Sequence, residues 1–174
     1  MTTPVTAQSA QLIYLSDAPH CAPVLARWHF EEWRTLLPHW SEAEALAELQ
    51  THRGRCEVDT TRIDLLDGRL AGSVSLVTED HPQFSPLAPW LASLYVHPDA
   101  RRRGLGETMV RAVVDDARLL GLRELFLFTE DGQTFYERQG WRVRSRENIP
   151  GGPVVVMQID PCAVHLRPLA IRGL

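Results

Sequence analysis

One stretch limits the fold of this chain more than any other: Leu91 to Leu120, LASLYVHPDARRRGLGETMVRAVVDDARLL. It starts as an apolar run, passes through a basic turn with two glycines, and continues as an amphipathic helix. Val110, Val113, Val114 and Ala117 share one face of that helix, and Glu107, Arg111, Asp115 and Arg118 the other. A strand that empties through Gly104-Leu105-Gly106 into a helix leaves the first backbone N–H groups of the helix without partners, and the helix dipole adds partial positive charge at the same place. Such a turn holds an anion, and phosphate suits it. Arg101, Arg102 and Arg103 stand where positive charge opposes the dipole, a conflict that an anionic ligand relieves. Their planar guanidinium groups match phosphate oxygens.

Three phosphate-binding turns compete for this pattern. A Walker loop needs a lysine that the chain lacks. The dinucleotide turn G-x-G-x-x-G fails at Met109, where a small residue should let helix and strand close. The third, [QR]-x-x-G-x-[GA], is met by Arg101-Arg102-Arg103-Gly104-Leu105-Gly106, preceded by Leu94-Tyr95-Val96-His97-Pro98. That stretch closely resembles the acetyl-CoA signature of the GNAT superfamily of N-acetyltransferases. Phe135-Tyr136-Glu137-Arg138-Gln139-Gly140-Trp141 resembles the same family's second signature, F-Y-x-x-x-G-[FWY], at the expected remove of one helix and one strand. The resemblance is good over residues 90–142 and loose in the N-terminal half.

The resemblance implies an α/β (α+β) fold with a mixed, mostly antiparallel central sheet of six to seven strands. About four helices flank it, and a parallel strand pair splays at the cofactor site. It implies one N-acetyltransferase domain over residues 1–174, with residues 1–10 a disordered lead-in and 161–174 a C-terminal tail. The implied cofactor is acetyl-CoA (coenzyme A). Its pyrophosphate would meet Arg101, Arg102, Arg103, Gly104, Leu105, Gly106 and Glu107, chiefly through backbone N–H groups. Its pantetheine arm would pair with the backbone of Leu94, Tyr95 and Val96. Where many relatives carry asparagine this chain has Thr129, so Thr129 or Gln133 is the expected replacement contact. Tyr136 occupies the position of the tyrosine that many relatives aim at the sulfur. In GNAT-like proteins the first helical region walls the acceptor groove, which makes Trp33, His39 and Trp40 candidate substrate contacts.

Composition narrows the remaining classes. A net charge of −4 argues against a general nucleic-acid binder. The charge is uneven: residues 1–89 carry 12 acids and 6 arginines, net −6, and residues 90–174 carry 10 acids and 12 arginines, net +2. The acidic first half favours a cationic acceptor, either a small-molecule amine or a peptide amino terminus. Cys21, Cys56 and Cys162 are odd in number and widely spaced, so neither a disulfide framework nor a zinc site is expected, and a reducing cytoplasm fits. No metal is expected, no membrane span, and a monomer or homodimer.

Taken in order, Leu12 to Leu15 reads as a strand, and Ser16 or Asp17 as the cap of a helix from Ala18 to Trp33 with Pro19 in its first turn. Ser41 caps a second helix, Glu42 to His52. Arg62–Leu66 and Leu70–Thr78 form a hairpin at Asp67-Gly68. On its second strand Leu70, Gly72, Val74, Leu76 and Thr78 share one face, and Ala71, Ser73, Ser75 and Val77 the other. A proline-rich loop without regular pattern leads to Trp90. After the central helix come strands at Arg123–Phe128, from Trp141, and at Val154–Ile159, with a short helix inside Thr129–Gln139. Asp115 and Asp116 read as solvated helix charges.

Acetyl transfer to an amine needs a base for the ammonium proton and an acid for the departing thiolate. Tyr136 is the expected acid. Glu79 or Asp80, after the third strand, is the expected base, acting directly or through water, with His81 and His97 behind them. Two rivals remain: a non-catalytic acyl-CoA-binding or regulatory domain of the same fold, and a nucleotide-binding oxidoreductase.

Overall fold

The computed structural model describes residues 9–163. The expected lead-in and C-terminal tail lie outside the described residues except at their inner ends. Seven strands make one sheet: β1 (Ala10–Tyr14), β2 (Thr60–Leu66), β3 (Arg69–Val77), β4 (Trp90–Val96), β5 (Leu125–Thr129), β6 (Arg142–Ile149) and β7 (Gly152–Ile159). Four α-helices accompany them: α1 (Ala22–Trp33), α2 (Glu42–Thr51), α3 (Leu105–Leu119) and α4 (Gln133–Glu137). The sheet order is β1-β2-β3-β4-β5-β7-β6, and every neighbouring pair is antiparallel except β4 with β5. This is the mixed, mostly antiparallel architecture expected from the sequence.

Helices cover both faces of the centre, which is why β3 is buried from Ala71 to Val77. Val74 and Leu76 pack with Met109, Val110, Val113, Val114 and Ala117 of α3. Ile63 on the opposite face packs with Leu25 and Ala26 of α1 and with Ala45 and Leu49 of α2. Full burial of one such aliphatic side chain contributes about 1.5–3 kcal/mol, so α3 is held chiefly by this stripe. Gly72 sets how closely α3 lies. A Cβ there would fall 2.9 Å from Met109 Cε and 2.5 Å from Tyr95 O, so Met109 fills the space that the glycine leaves.

Five local expectations are revised. α1 starts at Ala22 rather than Ala18, because two 3₁₀ turns, Leu15–Asp17 and Pro19–Cys21, precede it. Neither Ser16 nor Asp17 caps a helix: Ser16 Oγ donates to Gly54 O, and Asp17 pairs with Arg55. Strand β1 ends at Tyr14, since Leu15 has already turned. The proline-rich loop carries a 3₁₀ turn, Pro82–Phe84, whose buried Phe84 stacks 5.5 Å from Trp90.

Asp116 is the fifth. It is not solvated but 2% exposed, and Arg62 grips it through Nε at 2.7 Å and Nη2 at 2.6 Å. Tyr14 OH accepts from the same guanidinium at 2.7 Å, and the guanidinium sits 4.2 Å over the Tyr14 ring. This partly buried fork ties α3 to β1 and β2, and removing one partner of such a pair typically costs about 3–5 kcal/mol. Asp115, one residue earlier, behaves as expected and pairs with Arg118 on the surface.

Candidate active site

The turn before α3 is built as its sequence suggests. Arg102 at φ 61° and Gly104 at φ 78° both take left-handed backbone, which reverses the chain between β4 and α3. Thr108 N–H is the first of the helix amides to find a backbone partner, Gly104 O at 3.1 Å. Those of Leu105, Gly106 and Glu107 have none among the described residues. The three arginines are exposed. Arg101 Nε donates to Val96 O at 3.0 Å and its Nη2 lies 3.9 Å from Glu32, so it braces the end of β4. Arg103 Nη2 donates to Asp99 O at 3.3 Å. Glu107 pairs with Arg111 along α3. His97 turns its Nδ1 to the Asp99 amide at 3.4 Å and packs 4.8 Å from Trp28, which makes it part of the turn's scaffold.

Above this turn the sheet opens. β4 and β5 pair only at Trp90 with Phe126, supported by Phe126 N–H to Pro89 O at 3.0 Å. Beyond Trp90 no residue of β4 pairs with β5, so the backbone from Leu91 to Val96 faces a gap on that side. Parallel neighbours that part in this way expose a ladder of unpaired N–H and C=O groups, which an extended chain can join. Tyr95 turns its own ring inward, 8% exposed, near Trp28, His29 and Trp33.

The gap continues into a cleft of about 750 Å³. Leu91–Leu94 line one side and Phe128–Gly132, Phe135 and Tyr136 the other. Trp33, Leu36, Leu37, His39 and Trp40 close the end, together with the Glu79–Pro82 corner. All three aromatic candidates from the first helical region therefore reach the cleft. So do both candidate bases, Thr129 and Tyr136.

Four titratable groups of the cleft, Glu48, Asp80, His81 and Tyr136, are displaced toward their neutral forms. Burial, and then the neighbouring Glu48 carboxylate, push Asp80 up to about 7. Water still reaches Asp80 through the cleft mouth, but protein surrounds most of it. Glu48 on α2 keeps an exposed side, yet the protein packed around its carboxyl raises it, with Asp59 adding to the effect. Tyr136, 8% exposed, is raised well above the usual phenol by burial and then by Asp80 and Asp131. His81 is lowered by burial; its Nδ1 accepts from the Gln83 amide at 3.2 Å, which turns the ring against Phe84.

Two candidates are engaged elsewhere. Thr129 Oγ1 accepts the Gly132 amide at 3.0 Å and so closes the turn into α4. Gln133 donates to Glu137 at 2.7 Å and accepts from Arg146 at 2.9 Å, on the outer side of α4 and off the cleft. Sequence reasoning missed Glu48, Glu130 and Asp131. Glu48 reads as one more acid on a polar helix face, and nothing local marks it as turned toward Asp80.

Six acids line the cleft, Glu32, Glu48, Glu79, Asp80, Glu130 and Asp131, and no arginine does so among the described residues. A concave site with this lining favours a cation with an apolar body. Among the described residues no helix is long and apolar enough to cross a membrane.

Comparison with known proteins agrees with this geometry. The model of the acetyltransferase (GNAT) family matches residues 23–141. An amino-acid acetyltransferase of Mannheimia succiniciproducens is 32% identical over 60 residues, which is 34% of this chain and 14% of that protein's length. A GNAT-family protein of Desulfovibrio desulfuricans superposes with a TM-score of 0.65 at 20% identity, over 88% of this chain and 99% of the other. The Salmonella typhimurium protein yncA, crystallised with acetyl-CoA, does so with a TM-score of 0.65 at 16% identity, over 92% and 98%. N-acetylglutamate synthase of Neisseria gonorrhoeae, crystallised with coenzyme A and N-acetylglutamate, reaches a TM-score of 0.61 at 21% identity, over 87% of this chain and 35% of that one.

Proposed function

The chain belongs to the acetyltransferase (GNAT) family, and from that premise we propose that it moves an acetyl group from acetyl-CoA to a primary amine on a cationic acceptor, by direct attack in a ternary complex. One observation carries the reading. β4 leaves β5 after Trp90, and the opened backbone runs into a cleft that also holds Asp80 and Tyr136.

The residues fit the cofactor. The amides of Leu105, Gly106 and Glu107 face outward at the positive end of α3, where a diphosphate belongs, with Arg102 and Arg103 at the rim. The backbone of Leu94–Val96 offers strand-like pairing to the pantetheine arm. Acetyl-CoA supplies the thioester whose carbonyl carbon the amine attacks and whose C–S bond breaks.

Asp80 takes the ammonium proton, directly or through one water, before or during that attack. A carboxylate poised near 7 is ionised often enough to accept a proton and basic enough to keep it. Glu79 lies beside it in the cleft and helps to hold the acceptor's charge. Tyr136 gives its proton to the departing sulfur, and the nitrogen sheds its second proton to the tyrosinate as the amide forms. With its phenol raised by burial and by Asp80 and Asp131, it stays protonated at every physiological pH, as a donor must. Backbone N–H groups of the opened strand polarise the carbonyl oxygen as negative charge develops there.

The lining acids set the acceptor class. Six carboxylates and the Trp33 and Trp40 rings suit an ammonium group on an apolar body. An acidic amino acid would need a cation for its own carboxylate, and no arginine of the described residues lines the cleft. The lining therefore favours a cationic acceptor over glutamate.

A thermal-shift comparison tests the reading. Coenzyme A at about 100 times its Kd should add about 2.7 kcal/mol of stability. Thiol release should then follow with cationic amines and not with glutamate. Protection by NAD(P)H in place of coenzyme A would overturn the proposal. So would tight coenzyme A binding with no thiol release over a broad amine panel, the signature of a non-catalytic domain.

A further inference from the structure

Ser73 and Ser75 stand on the face of β3 that α1 and α2 cover, at 0% and 2% exposure, where valine would ordinarily pack. A hydroxyl buried this deeply is costly unless it is hydrogen-bonded. Both are. Ser73 Oγ lies 2.8 Å from His29 Nε2 of α1, and His29 is itself 2% exposed. Ser75 Oγ lies 2.8 Å from Thr61 Oγ1 of β2, which lies 2.7 Å from His52 Nδ1 just beyond α2. The two chains flank one irregularity. Ser73 pairs with Tyr95 and Ser75 with Ala92, so Val74 alone faces both Ser93 and Leu94. Ser93 takes φ 52°, unfavourable for serine and retained only where surroundings over-determine it. Ser73 Oγ also reaches Ser93 O at 3.5 Å.

We propose that His29 with Ser73, and His52 with Thr61 and Ser75, are positioning residues that clamp β3 on either side of the β4 bulge and thereby hold Ser93 and Leu94 at the cleft. The inference rests on the acetyl-transfer reading, which needs that stretch of backbone beside the thioester. The proton order on the first chain follows from its geometry. For Ser73 to donate onward to Ser93 O, His29 must donate to Ser73 from Nε2. Its imidazole, lowered to about 3 by burial and then by His52, is neutral at any working pH and keeps that tautomer available. A buried hydrogen-bonded chain of this kind adds a directional preference for one register.

The test compares Ser73→Ala, Ser75→Ala and Ser73→Thr with the parent by amide hydrogen exchange, calorimetric titration of coenzyme A, and steady-state kinetics. In both alanine variants the Ser93 and Leu94 amides should exchange about tenfold faster, while those of Val113 and Val114 in α3 keep the parent rate. kcat should fall about tenfold with the Kd for coenzyme A changed less than about twofold, because the turn before α3 is untouched. Ser73→Thr should restore both readouts. Parent exchange at Ser93 and Leu94, or parent kcat in the folded alanine variants, would overturn the proposal. If the parent itself released no thiol with any amine, the acetyl-transfer reading would fail, and the exchange rates alone would decide whether the hydroxyls hold the bulge.

Discussion

The turn at residues 101–107 and the cleft wall at residues 33–40 are built on different principles. The turn works through its backbone: left-handed Arg102 and Gly104, then a helix start whose amides point outward. The wall works through side chains, Trp33, His39 and Trp40, brought to a cleft whose acids come from four places in the chain, Glu32, Glu48, Glu79–Asp80 and Glu130–Asp131. A backbone site depends on spacing and on glycine, and many side chains satisfy it. A side-chain site depends on which residues the fold happens to bring together.

Three substitutions would sharpen or break the contrast. Asp80→Asn acts only in the cleft and should lower kcat/KM by about 100-fold or more, a range general base catalysis reaches. The parent's kcat/KM should rise with pH through about 7, because Asp80 accepts a proton only when ionised, and the variant should lose that limb. A pH-rate profile that keeps the limb in Asp80→Asn would move the base elsewhere. Tyr136→Phe should lower kcat by about 10-fold or more with little change in the Kd for coenzyme A. Unchanged turnover at several pH values would remove Tyr136 from the chemistry. Gly104→Val alters only the turn. Its positive φ costs a branched side chain about 1–2 kcal/mol, which should weaken coenzyme A binding about tenfold in a calorimetric titration and leave the acceptor KM alone. An equal rise in both constants would mean that turn and cleft are not separable.

Much of the fold was readable before any coordinates. The Asp67-Gly68 hairpin, the cap that Ser41 gives α2, and the buried stripe of α3 each follow from neighbours a few residues apart. Local spacing likewise carries the turn before α3 and the segment around Tyr136. What escaped was whatever depends on a partner far along the chain. Asp116 looks solvated beside Asp115, yet it is buried because Arg62, 54 residues away, arrives beneath α3. Gln133 looks free for a ligand until Arg146 of β6 takes it.

By itself the sequence determined a strand, a glycine-containing turn and a helix in that order, and a tyrosine one helix and one strand later. Those features are encoded by residues in direct succession, through φ preference and periodicity. Only the tertiary structure decided that Glu48 faces Asp80, that Asp80 titrates near 7, and that two histidines back the bulge of β4. Burial and the distance between charges set those properties. Both arise from how the sheet and its helices close over one another, which no stretch of this chain records alone.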